Sequence, residues 1–108
     1  MADGSEPRGD DTAELRRLRR RIDALDRKIV GLLNERTELG RAVGREKAAA
    51  GRRAVRDPER EREVLLRVTM ANEGPLPQAD LLAIYRRVIG ATRALESRDR
   101  RRDRAEGG

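Results

Sequence analysis

The chemistry open to this chain depends on arginine, lysine, carboxylate and hydroxyl side chains, because the sequence contains no histidine and no cysteine. The usual general base, thiolate metal sites and disulfides are therefore excluded. One arginine is out of place: Arg36 lies between Leu32 and Leu39, where the helical repeat predicts an apolar residue. An arginine at such a position needs an anion, which is either a carboxylate of another helix or a bound ligand.

The position of Lys47 indicates that the anion paired with Arg36 is a bound ligand and not a carboxylate of another helix. It follows Arg36 by eleven residues, which on a helix is three turns plus about 20°, so the two side chains project from nearly the same face. Their Cα atoms would be about 16 Å apart along the axis. Two long cationic side chains reaching toward each other leave space for one small dianion.

Arg19 cannot serve the same site within one chain. It precedes Arg36 by seventeen residues, which puts it about 100° around the helix and roughly 25 Å along it. Two interpretations remain for Arg19. It is either an ordinary surface residue or a residue that an antiparallel partner chain brings to the site.

Four polar residues further along the chain are also candidates. Arg60 and Glu61 fall in the first turn of a predicted helix, where backbone N–H groups favour anions, although a solvated charge pair is the alternative. Thr92 and Glu96 continue the apolar stripe of the next helix at a spacing of four residues. Burial would raise the pKa of Glu96 and keep it protonated as a hydrogen-bond donor, whereas fraying of the helix end would leave it in water.

Three helices are predicted to position these residues in an all-α chain. A very long helix runs from about Thr12 to Ala50, because apolar residues recur there at alternating intervals of three and four. A short helix starts at Asp57, which is followed by Pro58 as a first-turn proline. A medium helix follows Pro77. The long helix carries its apolar stripe at Leu15, Leu18, Ile22, Leu25, Ile29, Leu32, Leu39 and Val43.

The long helix predicts an intertwined helical homodimer. At nearly forty residues it would be about 58 Å long, whereas a compact domain of this size has a radius of gyration near 13 Å. With 36% hydrophobic residues and Tyr85 as the single aromatic residue, one protomer has little material for a core of its own. A second chain is the expected cover for the apolar stripe.

The two ends of the chain differ in composition from the middle. Residues 1–11 are polar and acidic and are predicted to be disordered; they form neither a signal peptide nor a membrane anchor, so we expect a cytoplasmic protein with no membrane contact. Residues 12–96 form the predicted domain. Residues 97–108 are charged and are predicted to be a disordered tail. The net charge of +6 suggests nucleic acid, but both signs are interspersed and aromatic stacking residues are missing.

Five segments, taken in order, resemble the all-helical class of chorismate mutases. The resemblance covers about Leu15 to Glu96. The segments are 18–26 (LRRRIDALD), 32–36 (LLNER), 43–47 (VGREK), 55–61 (VRDPERE), and 74–77 (GPLP) with 84–89 (IYRRVI). Each is weak alone, whereas the complete series at matching intervals is specific.

The resemblance implies an enzyme that rearranges chorismate to prephenate. This is a Claisen rearrangement within one molecule, and it needs no metal, cofactor, nucleophile or proton transfer. It needs a flexible substrate held in its reactive conformer and stabilisation of charge as the ether bond breaks. Arginine and lysine are suited to both tasks.

The resemblance also implies a role for each candidate residue. Arg36 and a partner chain's Arg19 would bind the carboxylates, and Lys47 would lie at the ether oxygen. Glu96 occupies the position where many relatives have glutamine, so it must be protonated to donate to that oxygen. Arg36, Lys47 and Glu96 are thus the expected catalytic residues. The remaining expected substrate-binding residues are Asp57, Arg60, Glu61 and Thr92.

Three alternatives stay open. A relative on the same fold could eliminate pyruvate from isochorismate or act on an amino analogue of chorismate as an aminodeoxychorismate mutase. A basic helical module could bind nucleic acid or a protein through the tail from Arg98 to Arg104. A mutase of this size could also depend on activation by an associated shikimate-pathway enzyme.

Overall fold

A computed structural model describes residues 11–107 of the chain. These residues form three α-helices and, within that range, no strand: α1 (Ala13–Ala49), α2 (Pro58–Ala71) and α3 (Gln78–Glu106). The predicted all-α class with a very long and a short helix is confirmed. The prediction of disorder for residues 1–11 falls, except for Asp11, outside the described residues. Within residues 11–107 no helix is long and apolar enough to cross a membrane.

The chain divides into two compact units, Met1–Glu35 and Arg36–Gly108. In the first unit Thr12 caps α1 by accepting a hydrogen bond from the amide of Leu15 at 3.0 Å. The apolar stripe of this unit faces solvent, with Ile22, Leu25 and Leu32 exposed by 55%, 55% and 63%. A surface of large aliphatic side chains at this spacing is typical of an interface.

In the second unit the end of α1 is set by Gly51. Its φ of +81° is a left-handed conformation that glycine adopts without strain. The Gly51 amide donates to the carbonyl of Ala48 at 3.0 Å and the Arg52 amide to that of Lys47 at 2.9 Å, which is the Schellman pattern of helix termination. The predicted end of the long helix at about Ala50 is confirmed, and the chain leaves α1 in a defined direction toward α2.

The start of α2 follows the predicted signals. Asp57 caps the helix by accepting from the Arg60 amide at 3.1 Å, and Pro58 occupies the first turn. Asn72 is the C-cap of the helix. The side-chain amide of Asn72 also stabilises the connection to α3, because it donates to the carbonyl of Leu76 at 3.0 Å and to Oε1 of Gln78 at 2.8 Å. α2 then packs against α3.

α3 corrects the predicted tail. The prediction that disorder begins at residue 97 is wrong for residues 97–106, which continue the helix. Arginine and glutamate are good helix formers, and Asp99 pairs with Arg102 on its own helix at 3.2 Å. Asp99 also binds Arg41 of α1 through two hydrogen bonds of 2.8 and 3.0 Å. Composition alone suggested disorder because it cannot show this pairing between helices.

No large apolar residue of the described chain is fully buried, and Thr92 is the buried polar residue. In the second unit Leu39, Leu66 and Met70 are exposed by 64%, 60% and 75%. The second unit is therefore held by half-buried side chains between α2 and α3 and by polar contacts from α1 to α3. Residues 11–107 of a single chain therefore lack the closed core that a domain of this length normally has.

Candidate active site

The second unit contains a cleft of about 270 Å³ between the C-terminal part of α1, the loop that follows it, the first turns of α2 and the middle of α3. Every predicted site residue except Arg19 lines it. Its lining consists of Arg36, Leu39, Gly40, Val43, Lys47, Val55, Asp57, Arg60, Glu61, Val64, Ile89, Thr92, Arg93 and Glu96. Residues separated by up to sixty positions in the sequence thus face one small space.

Arg19 lies in the first unit. Its guanidinium Nη1 forms an ion pair with the carboxylate of Asp11 at 2.9 Å. Asp11 also contacts α1 through its backbone, because the side chain of Arg16 donates to its carbonyl oxygen at 2.9 Å. The contribution of Arg19 to a site in a partner chain stays a prediction.

The wall of the cleft formed by α1 carries two cations. Arg36 makes no ion pair among residues 11–107, and its guanidinium lies 5.8 Å from the centre of the Tyr85 ring, within cation–π range. Lys47 donates from Nζ to the carbonyl oxygen of Val55 at 3.2 Å. Both side chains are half-buried. The pairing of Arg36 with a carboxylate, which the sequence left open, is absent from the described residues, so both cations are oriented without being neutralised.

The start of α2 places Arg60 and Asp57 at the cleft. Arg60 forms an ion pair with Glu63 on the same exposed side of the helix. The side chain of Asp57 is used for capping and also lies 3.8 Å from the guanidinium of Arg52. Asp57 therefore shapes the turn that brings Arg60 to the cleft.

Arg93 is a cleft residue that the sequence analysis missed. Its guanidinium forms an ion pair with Oε2 of Glu61, and Nε of Arg56 lies 3.8 Å from Oε1 of the same carboxylate. Its residue type does not distinguish it from the many other arginines of the chain. Its spacing could have indicated a site residue, because Ile89, Arg93 and Glu96 recur at intervals of four and three and so share one face of α3.

Two glycines of α1 let α3 approach closely. A β-carbon at Gly40 would lie 2.4 Å from Cγ2 of Thr92, and one at Gly44 would lie 3.1 Å from both Cγ and Oε2 of Glu96. Thr92 is only 7% exposed, and its hydroxyl donates to the carbonyl of Val88 at 3.1 Å. Glycine is a poor helix former, and the close contact with α3 explains the presence of both glycines within α1.

The alternative that Glu96 frays into water is excluded, because α3 continues past it to Glu106. Its Oε2 is buried and has no hydrogen-bond partner among the described residues. Burial raises the pKa of Glu96 above its ordinary value; the positive charges of Lys47 and Arg100 oppose this rise, and Asp99 adds to it. The carboxyl is therefore easier to keep protonated than an exposed glutamate.

The cleft combines unneutralised cations on one wall with a protonatable carboxyl on the other. Such an arrangement can bind a small dianion, orient it and donate a hydrogen bond to an oxygen that gains negative charge. Within residues 11–107, no cluster of three or more acidic side chains is placed to hold a metal ion. The groups present fit charge stabilisation better than nucleophilic attack.

Comparison with known proteins gives a family match over residues 18–97, to the family described as chorismate mutase type II. The bifunctional chorismate mutase/prephenate dehydratase of Aquifex aeolicus is 39% identical over 89 residues, which cover 79% of this chain and 24% of that protein. The protein of the same description from Neisseria gonorrhoeae is 41% identical over 78 residues, covering 72% and 21%. The chain therefore spans about a quarter of the length of these curated relatives.

One solved structure is similar to this chain over most of the length of both chains. The structure of chorismate mutase (form II) from Thermus thermophilus matches with a TM-score of 0.74 and 33% sequence identity. The match covers 79% of this chain and 96% of the Thermus chain. The similarity therefore extends to nearly the whole of a structure of comparable size.

Proposed function

This chain belongs to the chorismate mutase type II family, and we propose that it rearranges chorismate to prephenate in a cleft that a homodimer completes. The observation that carries this proposal is the meeting of Arg36, Lys47 and Arg60 with Glu96 around one cleft. In the reaction one C–O bond of the ether breaks and one C–C bond forms within the same molecule. No atom enters or leaves, so binding and electrostatics supply the catalysis.

The cations bind the two carboxylates of the substrate and stabilise the negative charge that develops on the ether oxygen. Arg36 is suited to a carboxylate, because its planar guanidinium donates two parallel hydrogen bonds. Lys47 presents a compact charge whose orientation is fixed by the Val55 carbonyl. Since the negative charge on the ether oxygen grows as the C–O bond lengthens, a fixed cation there stabilises the transition state more than the bound substrate.

Glu96 and Glu61 complete the site with opposite proton requirements. Protonated Glu96 donates to the ether oxygen, and the rise of its pKa by burial supports this role. Glu61 accepts from the ring hydroxyl as a carboxylate, and its ion pair with Arg93 holds that carboxylate at the cleft. Asp57 shapes the turn that carries Arg60, and Thr92 fills the contact with Gly40.

The homodimer is supported by the exposed apolar stripe of α1. Leu18, Ile22, Leu25, Ile29 and Leu32 each leave between 41% and 63% of their surface exposed in one chain. Full burial of such a side chain contributes about 1.5–3 kcal/mol, so covering the stripe with a second copy gives a strong drive to associate. In an antiparallel pair, Arg19 of one chain then reaches the cleft of the other and binds the second carboxylate.

Product identification tests the proposed reaction. The purified chain is incubated with chorismate, and the products are separated and identified by NMR. Prephenate as the product, without release of pyruvate, is expected. Isochorismate and the amino analogue of chorismate are offered in parallel, and preferential turnover of either would replace the proposal with the corresponding reaction on the same fold. Turnover of none of the three substrates would overturn it.

A further inference from the structure

Arg100, near the C-terminal end of α3, contacts the loop that closes one end of the cleft. Nη1 of Arg100 donates to the carbonyl of Arg52 at 2.6 Å and to that of Arg53 at 2.9 Å. Both carbonyls belong to the loop of residues 50–57 between α1 and α2. Two acceptors for one charged donor group fix the loop more firmly than a single contact between long side chains would.

The position of Arg100 is itself fixed by its neighbour. Asp99 binds Arg41 of α1 through both carboxylate oxygens, at 2.8 and 3.0 Å. The Asp99 side chain is 16% exposed and that of Arg41 is 26% exposed, so solvent screens this pair only in part. The bidentate pair holds the α3 extension against α1 and places Arg100 beside the loop.

The loop in turn positions groups of the cleft. The Val55 carbonyl accepts from Nζ of Lys47, so movement of the loop moves the partner that orients this ammonium group. The loop also leads into Asp57, whose carboxylate caps α2 and lies 3.8 Å from Arg52. A chain of contacts therefore runs from Arg100 through the loop to Lys47.

We propose that Asp99 and Arg100 form a latch that holds the loop of residues 50–57 at the mouth of the cleft, with Arg100 as a positioning residue for Lys47. Both residues lie beyond position 97, where the family match ends. The family match therefore assigns no role to either residue. Its effect on turnover rests on the proposed function, whereas its effect on loop order does not.

Hydrogen–deuterium exchange of the full-length protein tests the latch without using activity. Arg100→Ala is expected to speed the exchange of amides in peptides spanning residues 50–57 and to leave those within α2 unchanged. Arg100→Lys, which keeps a charged donor, should recover much of the protection. Arg101→Ala is the matched control, because it removes the same charge from an exposed position one residue along the same helix. Unchanged loop exchange in Arg100→Ala would overturn the proposal.

Steady-state kinetics with chorismate provide the second readout. When the loop is ordered only part of the time, the substrate binds the ordered fraction, so KM rises while kcat is nearly kept. We expect KM to rise roughly tenfold in Arg100→Ala, with recovery in Arg100→Lys, because the solvent-exposed hydrogen bonds that order the loop are lost and water replaces part of their free energy. An equal rise in Arg101→Ala, or a fall in kcat at constant KM, would contradict a positioning role.

Two further variants keep the test decisive. Asp99→Asn weakens the pair with Arg41 without changing the size of the side chain, and it should loosen the same loop. If Arg100→Ala unfolds, hydrogen–deuterium exchange of the loop is still measured in Arg100→Lys and Asp99→Asn. Normal protection of the loop amides in Asp99→Asn would overturn the latch. A wild-type chain that turns over no chorismate would refute the proposed function, and the exchange result would decide the latch by itself.

Discussion

Glu96 of α3 lies directly against the bare backbone of Gly44 in α1. A β-carbon at position 44 would be 3.1 Å from both Cγ and Oε2 of the Glu96 side chain. One turn earlier, Gly40 faces Thr92 in the same way. The two glycines thus bring the carboxyl wall of the cleft close to the cationic wall, and this contact underlies both the burial of Glu96 and the width of the site.

Gly40→Ala is predicted to destabilise the protein. The added methyl group would lie 2.4 Å from Cγ2 of Thr92, so α1 and α3 must separate. Overpacking of this kind lowers the free energy of unfolding by about 1–3 kcal/mol. Urea unfolding at one fixed protein concentration measures the change. Gly31→Ala is the control: its β-carbon meets nothing within 4 Å, so the better helix propensity of alanine should raise stability by up to about 1 kcal/mol. Equal stability of Gly40→Ala and wild type would contradict the close contact.

Turnover is predicted to fall as pH rises through the pKa of Glu96 in the substrate complex. The ionised carboxylate has no proton to donate to the ether oxygen, whereas the protonated form does. Glu96→Gln donates at every pH, so its pH–rate profile should be flat over the range where the wild-type rate declines. A decline of the same shape in both proteins would show that another group is responsible.

The raised pKa of Glu96 also predicts a pH dependence of the free energy of unfolding. Because burial raises the pKa of Glu96 in the folded protein above its unfolded value, the folded state holds the proton more tightly. The stability due to this group is present below the unfolded pKa and is lost as pH rises through the folded pKa. Glu96→Gln should therefore gain stability relative to wild type as pH rises through that window. Thermal unfolding across pH measures the difference, and a constant difference at all pH values would contradict the raised pKa.

Arg93 is predicted to act through Glu61. Removing its guanidinium in Arg93→Ala leaves the Glu61 carboxylate with only the more distant Arg56, and kcat/KM should fall roughly tenfold, as expected for loss of a charge-assisted hydrogen bond. A double-mutant cycle with Glu61→Gln measures the coupling. The double variant should be no worse than Glu61→Gln alone, with Arg98→Ala as the exposed control on the same helix. Fully additive losses would mean that Arg93 and Glu61 act independently.

The shared site of the homodimer is predicted to allow complementation between two impaired variants. Arg19→Ala and Arg36→Ala should each be impaired alone. When equal amounts are unfolded and refolded together, half of the dimers are mixed, and each mixed dimer regains one intact site. Activity should recover to about a quarter of the wild-type value. No recovery, although mixed dimers are detected by mass spectrometry, would remove Arg19 from the site.

Much of the fold follows from local sequence signals. The spacing of Leu25, Ile29 and Leu32 predicts α1 because a helix repeats every 3.6 residues. Asp57 and Gly51 mark a helix start and a helix end through hydrogen bonds made within a few residues. The placement of Arg36 and Lys47 on one wall also follows from helix geometry alone.

The parts that sequence reasoning missed depend on contacts between distant segments. The pairing of Asp99 with Arg41 spans 58 positions, and it accompanies a helix where composition suggested a disordered tail. The need for glycine at position 40 appears only once Thr92 is known to face it. Arg93 was hidden among chemically identical side chains, and its ion pair with Glu61 distinguishes it.

The loss of chorismate, followed by its absorbance in the wild type and in Lys47→Ala, tests the central claim most directly. If the cleft stabilises the breaking ether bond through Lys47, the variant should lose roughly 10²–10³-fold in kcat, as when one preorganised donor is removed from an oxyanion site. Lys28→Ala, which removes an exposed lysine of the same helix, should keep the wild-type rate. A Lys47→Ala protein that turns over chorismate as fast as the wild type would contradict the assignment of this cleft as the active site.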